Sequence, residues 1–219
     1  MLTKQQVDFL NQMEYTPLWP NWFYSYIDIP NLEPLREELR AFVNNPDKKS
    51  FATNSSYINV MAEYVFPQCP LLKKYLVSVG LEKKFHRLLI SRKIVLSEVG
   101  NVHVDTYSPE FTRHSINIGI QDYEDSFTRW FKTDQRKLND VANRGWDPIS
   151  NFAWIPLEEA TEIKRLQWSN RPTLVNTTIL HQGYSEKESR VIVGLRFKPE
   201  LTESDIKRLG VNRPHVQED

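Results

Sequence analysis

The sequence lacks the features that mark secreted, membrane-spanning and nucleic-acid-binding proteins. Its 219 residues include one cysteine, Cys69, which excludes an internal disulfide and a thiolate metal cluster. The 28 Lys and Arg residues balance 28 Asp and Glu residues, so no net field attracts nucleic acid or anionic membrane. No apolar run approaches the roughly 20 residues that span a bilayer, and residues 1–6 lack a signal-peptide core. We expect a cytoplasmic protein with a buried or half-buried Cys69 and with neither membrane nor nucleic acid as a partner.

The spacing of apolar residues changes near residue 85. Before this point helical spacing predominates: capping signals predict a short helix ending at Gln12 and a second helix capped by Asn31. Residues 70–84 are also amphipathic at helical spacing. The later chain contains short β-rich segments, at residues 88–99, 115–120, 126–131, 151–155, 172–181 and 190–197.

This order predicts one domain over residues 1–219, of α+β class and mainly β. Residues 1–84 are predicted to be a helical support, residues 85–200 a β-barrel, and residues 201–219 a final helix and tail. Short strands at this spacing suit a barrel or a sandwich. The architecture that accommodates them is a double-stranded β-helix, a jelly-roll or cupin-like barrel, braced from outside by the N-terminal helices.

Three side chains are candidate metal ligands: His103, Asp105 and His181. With five histidines, roughly half of one His-x-Asp or His-x-Glu pair is expected by chance, so the first two alone prove little. On a strand, however, they share one face about 7 Å apart along the backbone and can converge on one ion. Two histidines and a carboxylate can occupy one face of an iron octahedron and leave three positions open for a cosubstrate and oxygen.

The last predicted strand adds an arginine to this set. Strand alternation places Arg190, Ile192, Gly194 and Arg196 on one face. A buried guanidinium is costly without an anionic partner, so Arg190 facing the metal indicates an anionic cosubstrate. A dicarboxylate would meet that need.

The order of these residues resembles that of the Fe(II)/2-oxoglutarate-dependent oxygenases. Segment 113–120 (RHSINIGI) and segment 190–202 (RVIVGLRFKPELT) are similar to the aspartyl/asparaginyl β-hydroxylase-like group of that superfamily. The resemblance covers about residues 85 to 210. Protein β-hydroxylases of that group can lack the iron carboxylate, whereas Asp105 is present here, so their substrate is not carried over.

The resemblance implies a chemistry and a role for each site residue. Fe(II) is held by His103, Asp105 and His181, and Arg190 pairs with the distal carboxylate of 2-oxoglutarate. The group carries a polar cosubstrate contact at the position of Asn117. The implied reaction consumes 2-oxoglutarate and O2, releases succinate and carbon dioxide, and hydroxylates a small molecule, an amino acid or a protein side chain.

Substrate recognition is predicted at three further positions. Arg129 and Trp130 precede a long polar connection, residues 132–150, which is long enough to form a lid, and Arg196 lies on the Arg190 side of its strand. A solvated and structurally inert connection is an equally good interpretation of residues 132–150.

Other interpretations of the same residues stay open. Asn117 can bond to the backbone, and Arg190 can bridge to an acid such as Glu98. A zinc hydrolase also uses two histidines and a carboxylate, but it gives Arg190 no role, and the sequence has no helical His-Glu motif. A non-catalytic metal-binding jelly-roll module is the other alternative, because a fold alone does not confer activity.

Overall fold

The computed structural model describes residues 22–45, 57–92, 101–104, 114–133, 153–185, 190–211 and 215–216. This part of the chain is mainly β. Its strands are β1 (Trp22–Tyr26), β2 (Tyr57–Met61), β3 (Phe85–Arg92), β4 (Asn101–Val104), β5 (His114–Gln121), β6 (Ser126–Lys132), β7 (Ala153–Pro156), β8 (Thr161–Gln167), β9 (Thr173–Asn176), β10 (His181–Ser185), β11 (Val191–Phe197) and β12 (His215–Val216). Its α-helices are α1 (Leu32–Val43), α2 (Ala62–Val65), α3 (Pro70–Ser78) and α4 (Glu203–Arg208).

The strands form two antiparallel sheets that face each other. The seven-stranded sheet has the order β12-β1-β9-β5-β11-β3-β2, and the five-stranded sheet has the order β7-β4-β10-β6-β8. From β3 to β11 the chain passes to the opposite sheet at nearly every strand, which is the winding of a jelly roll. The predicted α+β, mainly β, double-stranded β-helix is therefore confirmed.

Strand alternation divides the seven-stranded sheet into an apolar outer face and a partly polar inner face. On β11 the side chains of Val191, Val193 and Leu195 belong to the core under the helices, while Ile192 packs between the sheets. Burying these aliphatic side chains stabilises the fold by roughly 1.5–3 kcal/mol each. The inner face, which faces the five-stranded sheet, is therefore available for a binding site.

Helix α1 braces the outer face through both packing and hydrogen bonds. Leu35, Leu39 and Phe42 are buried in the outer core. Arg36 donates from Nε to the carbonyl of Gly119 at 3.0 Å, and Arg40 donates to the carbonyl of Ile120. The helix is thereby held against β5, one of the strands that carry site residues.

Asn31 precedes helix α1 as predicted, but its side chain does not cap the helix. Asn31 has φ 56° and ψ 46°, in the left-handed region, and its side chain makes no capping hydrogen bond. A side-chain cap normally needs an extended backbone. Here the Asn31 carbonyl accepts from the amide of Leu35 instead. At the other end of the chain, Thr202 and Asp205 form the reciprocal capping box that begins the predicted final helix.

The segments before residue 85 and the segment 172–181 differ from the predictions. The N-terminal region is not only helical, because β1 pairs with β9 and β2 pairs with β3. The single strand predicted to run to His181 ends at Asn176 and resumes as β10 in the other sheet. The strand ends at Asn176 because a turn begins there, in which the Asn176 side chain accepts a hydrogen bond from the backbone amide of Thr178. Strand β8 had no counterpart among the predicted segments.

Further predictions concern Cys69, membrane-spanning segments and the segments at residues 1–12 and 132–150. The thiol of Cys69 is fully buried, as expected of a cysteine that packs in the core. No helix within the described ranges has the length and apolarity needed to cross a membrane. The predicted helix ending at Gln12 and most of the connection 132–150 lie outside the described residues.

Candidate functional site

A cavity of about 70 Å³ lies between the two sheets. None of the described residues that line it is acidic, and two are arginines. The polar side chains of the lining are Ser91, His103, Asn117, Thr128, Thr177, His181, Arg190 and Arg196. The fold thus brings five of the predicted site residues to one place.

The two histidines lie on neighbouring strands of the five-stranded sheet. His181, the first residue of β10, is directly opposite His103 on β4. Their ring centroids are 4.6 Å apart, with the ring planes inclined at 51°. Side chains directly opposite each other in an antiparallel pair project from the same face. The two imidazoles can therefore approach one ion from adjacent strands.

A backbone hydrogen bond selects the tautomer of the His181 ring. Its Nδ1 lies 2.9 Å from the carbonyl oxygen of Ile179. Because a carbonyl only accepts, Nδ1 carries a proton in this contact, and in the neutral ring the lone pair is then on Nε2. Metal-binding histidines commonly make this contact, which holds the ring in place. His181 is therefore set up to donate from Nε2.

The third predicted ligand, Asp105, lies outside the described residues. The described part of the chain holds no group of three or more His, Cys, Asp and Glu side chains that could bind a metal. It contains two of the three predicted ligands, so this finding is consistent with a site completed by Asp105, which follows two positions after His103.

Arg190 is buried in the wall of the cavity. Only 4% of its surface is exposed, and it immediately precedes β11. Ile192, Gly194 and Arg196 line the same cavity, which matches the predicted alternation of this strand. Burying a guanidinium costs several kcal/mol unless negative charge or hydrogen bonds compensate. With two arginines and no acidic residue among the described residues of its lining, the cavity is suited to an anionic ligand.

Asn117 on β5 is oriented by a neighbouring hydroxyl. The Ser115 Oγ donates to the Asn117 Oδ1 at 2.5 Å. With its oxygen engaged, the amide retains two N–H donors on Nδ2 for other partners. Gly194 lies directly opposite Asn117 across the sheet. A Cβ atom there would be 2.9 Å from both Asn117 Oδ1 and Ser115 Oγ, so only glycine leaves room for the pair.

We expect Gly194→Ala to disturb this pair and the cavity with it. The added methyl group forces Asn117 or Ser115 to move, and overpacking of this kind costs roughly 1–3 kcal/mol. For a chain of this length each kcal/mol lowers Tm by roughly 2–4 °C. Thermal unfolding followed by circular dichroism measures the loss; an unchanged Tm would show that the Asn117 amide can relax freely.

Thr177 is a site residue that the sequence analysis missed. It is 1% exposed, lines the cavity, and its Oγ1 has no hydrogen-bond partner in the described part of the chain. A buried hydroxyl left unsatisfied costs about 1–3 kcal/mol. A ligand oxygen in the cavity would remove this cost. The only sequence signal was the Asn176-Thr177-Thr178 run, which reads as a turn.

The turn that carries Thr177 is anchored by Asn176. The Asn176 Nδ2 donates to the carbonyl of Trp22 at 3.0 Å, and its Oδ1 accepts from the Thr178 amide and hydroxyl. The Asn176 carbonyl accepts from the indole of Trp130 at 3.2 Å. This buried network fixes the crossover between the sheets and, four residues later, the start of β10 at His181.

Two predicted substrate contacts lie elsewhere. Trp130 is fully buried and packs against Phe23 and Tyr24, so its ring cannot face a ligand in the cavity. That prediction is corrected: alternation along β6 turns Thr128 and Trp130 inward, but only Thr128 reaches the cavity. The guanidinium of Arg129 donates to the Gln182 side chain and lies over the ring of Tyr184.

Comparisons with known proteins find similarity only among solved structures. No model of a known protein family and no curated protein matches the sequence. AviO1 from Streptomyces viridochromogenes Tue57 has a TM-score of 0.46 and 8% identity, over 90% of this chain and 96% of that one. SnoK from nogalamycin biosynthesis, a non-heme alpha-ketoglutarate-dependent carbocyclase, has a TM-score of 0.47 and 13% identity, over 99% and 95%.

A third similar structure contains ligands. HygX from Streptomyces hygroscopicus, with nickel and 2-oxoglutarate bound, has a TM-score of 0.41 and 16% identity, over 90% of this chain and 87% of that one. At identities and scores this low, the function of the present chain has to be inferred from its own residues.

Proposed function

We propose that the protein is a non-haem Fe(II)- and 2-oxoglutarate-dependent oxygenase. One observation carries the proposal: two facing histidines and a buried arginine line the same cavity between the sheets of a jelly roll. A zinc hydrolase would use the histidines but would leave Arg190 without a role. A non-catalytic metal-binding module could also use the histidines, but it would not require Arg190.

The donor set fits a ferrous ion. His103 and His181 would supply imidazole nitrogens, and Asp105, two residues after His103 in the sequence, would supply a carboxylate. The hydrogen bond from His181 Nδ1 to Ile179 keeps Nε2 available. With three protein ligands, the remaining positions are open to a chelating cosubstrate and to oxygen.

The rest of the lining fits 2-oxoglutarate. Arg190 would bind the distal carboxylate through two parallel hydrogen bonds, because a guanidinium matches a carboxylate in geometry and charge. The amide of Asn117 and the hydroxyl of Thr177 would donate to oxygens nearer the metal. Gly183, two residues after His181 on the same face of β10, lines the cavity without filling it.

With iron and 2-oxoglutarate bound, O2 would be the oxidant: one oxygen atom would be transferred to the substrate as a hydroxyl group and the other to succinate, with release of carbon dioxide. The chain's own contribution is positioning and exclusion of water. Arg190 holds the cosubstrate at its far end, Asn117 and Thr177 orient it, and the aromatic cluster of Phe23, Tyr24 and Trp130 closes the space between the sheets at one side. The substrate is a small molecule, an amino acid or a protein side chain.

The proposal is tested by loading the purified protein anaerobically with Fe(II) and titrating 2-oxoglutarate by calorimetry. We expect one iron and one 2-oxoglutarate per chain, and slow succinate formation once oxygen is admitted. Protein that binds iron but neither binds nor turns over 2-oxoglutarate would favour the non-catalytic metal-binding module. Tight zinc binding without any affinity for 2-oxoglutarate would favour the hydrolase.

Removing the Thr177 hydroxyl should lower the affinity for 2-oxoglutarate without lowering the stability of the protein. Thr177→Val keeps the shape but removes the unsatisfied hydroxyl, so the free energy of unfolding should stay the same or rise by about 1 kcal/mol. The affinity for 2-oxoglutarate should nevertheless fall by roughly threefold to tenfold, since one hydrogen bond to the ligand is lost. Urea denaturation and calorimetry measure the two effects.

Thr178→Val is the matched control for this variant. The Thr178 hydroxyl donates to Asn176 Oδ1 at 2.7 Å, so its removal should lower stability. A Thr177→Val protein with wild-type affinity for 2-oxoglutarate would exclude Thr177 from the cosubstrate site.

A further inference from the structure

Two neighbouring polar side chains, those of Ser126 and Trp168, are buried without a hydrogen-bond partner in the described part of the chain. Ser126 begins β6 and is 0% exposed, and Trp168 follows β8 and is 3% exposed. The Trp168 amide donates to the Ser126 carbonyl at 2.9 Å, so the two residues are adjacent. The atoms concerned are Ser126 Oγ and Trp168 Nε1. Because native proteins satisfy nearly all buried polar groups, these atoms point to a bound ligand or water molecule.

Both side chains face the space between the two sheets. Strand alternation directs Ser126 to the same face of β6 as Thr128, which lines the cavity. Trp168 belongs to the hydrophobic cluster between the sheets, together with Ile192, which also lines the cavity. Ser126 and Trp168 therefore lie beside the cavity already described, on the side of the five-stranded sheet.

The topology places Ser126 at the same end of the barrel as Arg190. The chain leaves β5 at Gln121 and enters β6 in the other sheet at Ser126, only five residues later. Gln121 is opposite Val191, the residue that follows Arg190. Ser126 is opposite Ser185, the last residue of β10, whereas His181 is the first residue of that strand. This end of the barrel is therefore the one away from the histidines.

The ring of Tyr123 covers the same end. Gly119 faces the same side of β5 as Asn117 and lies opposite Ile192. A Cβ atom on Gly119 would overlap the Tyr123 ring, so this ring occupies the space that a side chain would fill there. The Ser126 amide donates to the Tyr123 carbonyl at 3.0 Å, which holds the two residues in one turn. A group bound beside Ser126 is consequently shielded from water by the ring.

The side chains of Arg190, Ser126 and Trp168 match a ligand that accepts hydrogen bonds. A guanidinium and an indole N–H only donate, and a serine hydroxyl can donate. An ionised carboxylate only accepts, and its two oxygens take several hydrogen bonds at once. Such bonds are stronger than those between neutral groups. A carboxylate therefore fits all three side chains, whereas a water molecule would satisfy the two neutral donors alone.

We propose that Ser126 Oγ and Trp168 Nε1 bind the distal carboxylate of the cosubstrate together with Arg190. This inference rests on the proposed function and deepens it, because it assigns two further cosubstrate-binding residues on other strands. It also makes the site selective for a dicarboxylate. A 2-oxo acid without the distal carboxylate would leave three buried donors without their acceptor, which is the strongest way in which a site rejects an analogue.

The test uses the full chain loaded anaerobically with Fe(II) and two probes, 2-oxoglutarate and 2-oxobutyrate. The second probe keeps the 2-oxo acid group and lacks the distal carboxylate. Binding of each is measured by calorimetry, at millimolar concentration for 2-oxobutyrate. We expect the wild-type protein to bind 2-oxobutyrate at least about 100-fold more weakly than 2-oxoglutarate.

Two variants remove the donors singly. Ser126→Ala deletes the hydroxyl, and Trp168→Phe keeps an aromatic ring but deletes the indole N–H. Each should lower the affinity for 2-oxoglutarate about threefold to tenfold, since one hydrogen bond to the ligand is lost. Neither should change the affinity for 2-oxobutyrate. A merely structural role would instead weaken the binding of both probes alike.

Trp22→Phe is the matched control. The Trp22 indole is also buried, and its Nε1 also lacks a partner among the described residues, but it lies in the core under the helices. The same substitution there should leave the affinities for both probes at the wild-type level. Far-ultraviolet circular dichroism checks that each variant is folded.

The outcomes separate the inference from the proposed function. Selective loss of 2-oxoglutarate affinity in Ser126→Ala and Trp168→Phe, with none in the control, supports the inference. Wild-type affinity in the double variant Ser126→Ala/Trp168→Phe overturns it and assigns the two donors to buried water. Equal losses for both probes also overturn it, while the proposed function stands. Failure of the wild-type protein to bind Fe(II) or 2-oxoglutarate overturns the proposed function and the inference with it.

Discussion

Replacing His103, Asp105 or His181 by Ala is expected to abolish turnover while the fold stays intact. Each change removes one of three protein ligands, and even the loss of a supporting contact to a ligand typically costs about 10–100-fold in metal affinity. We therefore expect iron affinity to fall by more than about 100-fold. Equilibrium dialysis with Fe(II) and a succinate assay measure the two effects, and far-ultraviolet circular dichroism checks the fold.

His86→Ala is a suitable control for the histidine variants. His86 is half-buried on β3, outside the cavity lining, and burial together with the charges of Arg87 and Lys198 lowers its pKa. Its removal should leave iron binding at the wild-type level. Wild-type iron affinity in His181→Ala would instead remove that histidine from the metal site.

Arg190→Met is expected to weaken 2-oxoglutarate binding with little effect on iron. Methionine keeps much of the buried aliphatic volume and deletes the charged fork. Removing one partner of a buried charge pair costs about 3–5 kcal/mol, which corresponds to a loss of more than about 100-fold in affinity. Calorimetric titration of 2-oxoglutarate into iron-loaded protein measures the change.

Two related variants test which arginine binds the distal carboxylate of 2-oxoglutarate. Arg190→Lys keeps a positive charge but loses the bidentate geometry, so its affinity should lie between those of the wild type and Arg190→Met. Arg196→Met should leave 2-oxoglutarate binding unchanged, because Arg196 is at the opposite end of β11. Wild-type affinity in Arg190→Met would assign the distal carboxylate to Arg196 or to another cation.

The strands of the barrel differ in how well local sequence predicted them. On β11 the alternation of Arg190, Ile192, Gly194 and Arg196 was predicted and is observed, because successive side chains on any strand point to opposite faces. The final helix was predicted for a similar reason, since the capping box that begins it joins Thr202 to Asp205, only three residues away. Both features depend on near neighbours alone.

Features that depend on distant contacts were missed. Trp22, Phe23 and Tyr24 did not indicate a sheet strand, because β1 is held by pairing with β9, about 150 residues later. Trp130 was assigned to the substrate, but its place in the core depends on rings contributed by β1. Thr177 was overlooked because an ordinary turn sequence does not show that its hydroxyl is buried facing a cavity.

The sequence by itself determined the fold class, the alternation of the last strand and the identity of the histidine, carboxylate and arginine candidates, because these follow from residue type, local spacing and the order of the residues along the chain. Only the tertiary structure decided that His181 lies opposite His103 and that its Nδ1 is bound to Ile179. Those relations are set by strand register. Register depends on packing across both sheets, since a shift of one residue would turn every side chain of a strand to the other face.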